Sequence, residues 1–263
     1  MLDIQAEQQE SGQPYPELYE AVAGLKRRHR LPTSAIRPRD GLALRNDAER
    51  ETVQELVARF RRLPEDARRR LPALWNSLAQ LEIVVGDLEA GQRDFQEVAR
   101  LVRDPGSRAE AHHNVYRTAL ERRDWDAALS ALRKAVALDS TAFEPFPWGR
   151  YEPRRIVGAG GFGVSFSCHD KTRGEDVVVE AIQPDGLDRP DSLIFREFRT
   201  LQDLEQPTLV RIFDAAHGGP ESTRPYVVLE PVEATPLDEY VAAHGPFSAD
   251  DWLEVCYPIT RTI

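Results

Sequence analysis

Residues 157–163 read VGAGGFG, and the glycines at 158, 160 and 163 stand between two stretches that each read as a β-strand. Ahead of them lies Arg154-Arg155-Ile156-Val157 and behind them Val164-Ser165-Phe166-Ser167-Cys168-His169, with apolar and polar residues alternating. The same glycine spacing serves a dinucleotide fold when the last glycine opens a helix. Here a strand follows, so the loop is predicted to join two strands as a hairpin. Glycine in such a loop lets backbone N–H groups approach phosphate oxygens where a Cβ would collide. A glycine hairpin with no ligand is the plainer alternative. Asp170 to Asp176, with Gly174 near its middle, reads as a turn, and the β-branched run Val177-Val178-Val179 as a third strand.

Beyond the third strand, Ser192 to Leu204 places Leu193, Ile194, Phe198, Leu201 and Leu204 in an apolar helical stripe. Leu209 to Phe213 reads as a fourth strand and Tyr226 to Glu230 as a fifth. Leu237 to Ala243 fits a short helix, and Ser248-Ala249-Asp250-Asp251 resembles a capping box opening another. From about Tyr151 to the last residue this order resembles the small lobe of a protein kinase. The resemblance implies nucleotide contacts from Val157, Gly158, Ala159, Gly160, Gly161, Phe162, Gly163 and Ser165 around the loop, and from Val178 and Glu180 on the third strand. Leu229 matches the position at the back of the adenine pocket, and Glu230 and Val232 match the hinge, with Val232 offering backbone groups and Pro231 lacking an N–H. Ser165 stands where most kinases place a valine. ATP and magnesium are the cofactors, and a protein hydroxyl the substrate, that the resemblance implies for an intact relative.

Two departures stand out. The third-strand residue that holds phosphate in kinases is a lysine, which a helix glutamate orients; this chain has Glu180 at the first position and Glu197 at the second, and no lysine between Lys171 and Ile263. Two carboxylates 4 Å apart would repel by up to about 4 kcal/mol at an effective dielectric near 20. A solvated helix carboxylate is the alternative reading of Glu197. In addition, neither the catalytic loop H-R-D-x-x-x-x-N nor the metal-binding D-F-G occurs in the 263 residues. The chain alone is therefore expected to be catalytically inactive and to end early in the large lobe. A non-catalytic pseudokinase scaffold is the alternative function.

The first half has a different texture. Residues 109–140 resemble a tetratricopeptide repeat: Val115, Ala119, Ala128, Leu132 and Ala135 sit where small or apolar residues let two helices pack, with Asp124-Trp125-Asp126 at the turn. Residues 72–105 give a second match, with Trp75, Leu78 and Ala79, then Gly86-Asp87 at the turn, then Gly91 and Phe95. The offset places extra residues in a connection around Asp104-Pro105-Gly106. Asp47 to Arg62 is expected to cap the stack, since repeats depend on neighbours for a core. Leu18, Val22 and Leu25 mark a short helix, whereas residues 1–16 are polar enough to predict disorder.

The expected organisation is α+β. Residues 1–44 form an N-terminal extension, 45–141 helical repeats that bind a protein substrate or partner, 142–150 a proline and aromatic connector, and 151–263 a kinase-like small lobe with five antiparallel strands. A net charge of −10 argues against nucleic-acid or membrane partners, and the basic run Lys26-Arg27-Arg28-His29-Arg30 reads as a solvated helix end. No stretch reads as a signal sequence or membrane span, so the cytoplasm is the expected compartment. Cys168 and Cys256 lack motif spacing and read as small apolar groups.

Overall fold

A computed structural model describes residues 2–4, 7, 15–32, 47–161, 163–182, 198, 206, 209–216, 224–232, 235 and 237–260. It divides into two compact units, Met1–Glu144 and Pro145–Ile263. The fold is α+β, with helices first and a five-stranded antiparallel sheet after them.

The first unit contains α1 (Pro16–Arg28), α2 (Asp47–Arg61), α3 (Glu65–Arg69), α4 (Pro72–Val84), α5 (Leu88–Leu101), α6 (Pro105–Glu121), α7 (Trp125–Leu138) and α8 (Ser140–Phe143). Aspartates start four of them: Asp87, Asp104, Asp124 and Asp139 accept hydrogen bonds from the backbone N–H groups of Ala90, Ser107, Ala127 and Ala142. Each satisfies a donor that the first turn cannot satisfy internally. At α6 the cap and the following proline extend the helix backwards, so Pro105 and Gly106 belong to its first turn rather than to a connection.

Helix α4 is buried on nearly every side and packs against α1, α2, α3 and α5. A helix so enclosed can carry polar residues only if they are partnered. Asn76 accepts from the Asn114 side chain at 3.2 Å, while Lys26 of α1 donates to Ser77 at 3.3 Å and Gln80 at 2.5 Å. Burial brings the Lys26 pKa down to about 8. Glu82 meets Arg61 of α2 at 2.7 Å, and burial next to Asp94 raises the Glu82 pKa to about 8. Its ion pair does not reverse this, because Arg61 is half-exposed and its charge is largely solvated. Between α4 and α5, a Cβ on Gly91 would lie 2.5 Å from Ile83 Cδ1 and 3.0 Å from Ala79 O, so glycine is what lets these helices close up.

At the start of the chain, three of the described residues are held against the helices. Leu2 and Ile4 are buried in the helical core, and the Glu7 carboxylate accepts from Tyr19 Oη at 2.7 Å and from the Ala73 and Leu74 N–H groups at 2.6 and 3.0 Å. Leu71 precedes α4 without a side-chain cap, and Glu7 fills that role from 66 residues away.

The second unit holds β1 (Tyr151–Ala159), β2 (Gly163–Asp170), β3 (Glu175–Ile182), β4 (Ile212–Ala216) and β5 (Tyr226–Leu229), then α9 (Leu237–His244) and α10 (Ala249–Thr260). The strands lie in the order β1-β2-β3-β5-β4, every neighbouring pair antiparallel. One face is closed by Ile156, Val164, Phe166, Cys168, Val177, Val179 and Val228, all buried. Phe146 packs edge-on against Phe166 at 5.1 Å and joins that layer. Burial pushes the Cys168 thiol up to about 12, consistent with an apolar role. Just before β1, Arg150 bridges Asp214 of β4 at 3.0 Å and Asp170 of β2 at 3.7 Å, lying over the Tyr151 ring.

The fourth strand starts at Ile212 rather than Leu209, since Leu209, Val210 and Arg211 lie outside the ladder. Ser248 and Asp251 form a reciprocal box at the start of α10: the Ser248 N–H donates to Asp251 Oδ2, and the Asp251 N–H to Ser248 Oγ. Of the expected helix over 192–204, only Phe198 is among the described residues. No described helix is long and apolar enough to cross a membrane.

Candidate functional site

Residues directly opposite one another on antiparallel strands share a face of the sheet. One row across this sheet reads Gly158, Ser165, Glu180, Val227 and Ala215; the next reads Arg155, Ser167, Val178, Leu229 and Ile212. Thus Gly158, Ser165, Val178, Glu180 and Leu229, far apart in sequence, lie side by side below the glycine hairpin. This face is the less buried one. Ser165, Val178, Glu180 and Leu229 are all partly exposed, whereas their neighbours along each strand are enclosed on the opposite face.

The glycines do not share one explanation. A Cβ on Gly163 would stand 2.3 Å from Ala181 O, a backbone atom of β3, so this glycine is required by the approach of two strands. Gly158 and Gly160 have open space where a Cβ would go. The Gly160 N–H donates to Gly163 O at 2.9 Å and closes the hairpin on itself. Val157 falls where the β1–β2 register slips between Ile156 and Gly158, and is 47% exposed; Ala159 and Gly161 are exposed as well. Phe162 and Glu197 lie outside the described residues, and with them the proposed pairing of Glu197 with Glu180.

Glu180 sits between Ser165 and Val227. Burial raises its pKa, and no other described residue contributes a charge or hydrogen bond to that shift. At the far side, Leu229 packs with Ile182, Val227 and Ile212 in a small apolar cluster that Phe198 also joins. The next residue turns its carboxylate away: Glu230 Oε1 accepts from the Arg211 N–H at 2.8 Å, and its own N–H donates to Arg211 O. Val232 is exposed.

Residues 151–263 match the protein kinase domain. This segment is similar to bacterial serine/threonine-protein kinases. It is 29% identical over 119 residues to PrkC of Bacillus subtilis, covering 44% of this chain and 18% of that protein. It is 31% identical over 110 residues to PknB of Mycobacterium tuberculosis, covering 40% and 17%. A probable PknB of Corynebacterium glutamicum is 26% identical over 117 residues, covering 43% and 18%. The chain therefore spans less than a fifth of the length of these relatives. Glu180 lies within the segment that matches the kinase domain, in the row that joins it to Gly158 and Ser165. The resemblance to a kinase small lobe, rather than spacing, grouped these residues in advance. It did not reveal that Gly163 is held by packing, because a missing Cβ serves a close strand and a bound ligand equally.

Proposed function

We propose that residues 151–263 form the adenine-nucleotide cleft of a serine/threonine protein kinase homologue, and that the helices of residues 45–141 are tetratricopeptide-like repeats recruiting a protein partner or substrate. The single observation that carries the reading is the pair of rows that sets Gly158, Ser165 and Glu180 beside Val178 and Leu229, within a segment matching the kinase domain. In this reading Val178 and Leu229 flank the adenine, Val232 supplies hinge backbone groups, and Val157 to Gly163 cover the ligand with Ser165 below and Glu230 at the hinge entrance. Magnesium and ATP are the cofactors of the intact enzyme. Residues 1–263 contain no catalytic-loop aspartate or D-F-G pattern, so this polypeptide by itself transfers no phosphate.

A second reading, a non-catalytic scaffold, is favoured by Glu180, which puts an anion where a kinase places a cation. Both readings share a cleft for adenine. Calorimetric titration with adenosine and ATP tests it: Val178→Phe, opposite Leu229, should fill the slot and weaken whichever ligand binds by at least about tenfold, or 1.4 kcal/mol. Unchanged binding would remove Val178 from the site, and absence of binding by both ligands to the unmutated protein would remove the cleft. Labelled-phosphate transfer to a generic protein substrate should stay at background.

A further inference from the structure

The glycine hairpin and the strand beneath it carry information about the charge of the ligand. A loop that holds phosphate does so with outward N–H groups and a nearby cation. Here the Gly160 N–H is committed to Gly163 O at 2.9 Å. Below the hairpin, the side chain in the row with Gly158 and Ser165 is a carboxylate. No hydrogen bond or ion pair from another described residue engages it.

Four of the described cations of this unit are elsewhere. Lys171 and Arg173 occupy the turn at the opposite end of β2, where they approach Glu152 and Glu175; eight residues of strand put them roughly 23 Å from the hairpin. Arg154 pairs with Asp176, which stands opposite His169 near that same end. Arg155 shares the face of Glu180 but lies on the edge strand, two strands or about 10 Å across. A phosphate entering beside Glu180 would meet a negative charge and lose part of its hydration.

We infer that this cleft takes an uncharged adenine nucleoside in preference to the triphosphate, and that Glu180 sets the preference by repelling phosphate while leaving an acceptor for a ligand hydroxyl. The inference rests on the adenine-cleft reading given above. Like charges 4 Å apart cost about 1 kcal/mol even in fully aqueous surroundings, which corresponds to roughly fivefold in affinity.

The test is calorimetric titration of the full 263-residue chain with adenosine, AMP, ADP and ATP, without divalent cation and then with magnesium. Adenosine is expected to bind at least about fivefold tighter than ATP, with AMP and ADP between. Glu180→Gln, which keeps the shape and an acceptor oxygen, should bring the four affinities together, and Glu180→Lys should reverse their order. If either variant fails to give a cooperative melt, the unmutated protein still decides: about 1 M salt should screen the repulsion and narrow the gap between ATP and adenosine. ATP binding as tightly as adenosine without magnesium would overturn the inference and leave the cleft intact. ATP binding that requires magnesium and vanishes in Glu180→Gln would also overturn it, assigning the carboxylate to the cation. Failure of all four ligands would instead bring down the adenine cleft itself.

Discussion

Gly163 shows how one missing methyl group can hold up a site without touching a ligand. The atom a Cβ would strike, Ala181 O at 2.3 Å, is backbone in the middle of the sheet, so neither partner can swing aside. Gly163→Ala should destabilise the sheet unit by about 1–3 kcal/mol through overpacking, after a smaller gain from stiffening the unfolded chain. Gly158→Ala, where the space is open, should stay within about 0.5 kcal/mol. Urea titrations of the two variants make the comparison, and equal midpoints would mean that β2 shifts to absorb the methyl. Glu180, by contrast, was singled out by the resemblance to a kinase small lobe. Its place opposite Ser165 is set by the register of β2 on β3, which the four-residue turn between them fixes.

Elements were readable wherever their signals are local. The aspartates that start α5, α6 and α7 sit next to the turns they satisfy, and the alternation of β2 foretells its two faces. The β4 boundary was less readable, since Leu209 and Val210 have strand composition but no partner in the ladder, and both remain exposed. The start of α4 was readable, since the second repeat match begins at 72 and Pro72 opens the helix, but its cap was not: that arrives from Glu7, and no window along the chain contains both. Glu7→Ala should lower the stability of the helical unit by about 1–2 kcal/mol, as loss of a helix cap with charge-assisted hydrogen bonds does. Glu7→Gln, which keeps an acceptor but loses the charge at the helix N-terminus, should cost less. Thermal melts followed by the far-ultraviolet helix signal would measure both, and a Glu7→Ala variant as stable as the parent would show that α4 finds its cap in water.

At the scale of the molecule, the division at Glu144 and Pro145 implies that residues 1–144 melt cooperatively when produced alone. Their stability should respond to pH through Glu82. Its pKa rises from the ordinary 4.5 to about 8 on folding, so the folded state binds the proton more tightly. That contribution is fully present below pH 4.5 and is lost as pH climbs through 8. His112, whose pKa burial lowers, opposes the trend up to pH 6.5, so the informative quantity is the difference between variants. Glu82→Gln should gain stability over the parent as pH rises from 5 to about 8.5, and a constant difference would place the carboxylate in contact with water. Leu2 and Ile4 belong to a core cluster that extends to Ala111, so that cluster is incomplete until more than a hundred further residues have been synthesised. At about 5–20 residues per second a ribosome takes roughly 5–20 s to cover that distance. The residues made first in this core thus wait longest for its completion, and a chaperone meeting the nascent chain would find two aliphatic side chains ahead of a finished core.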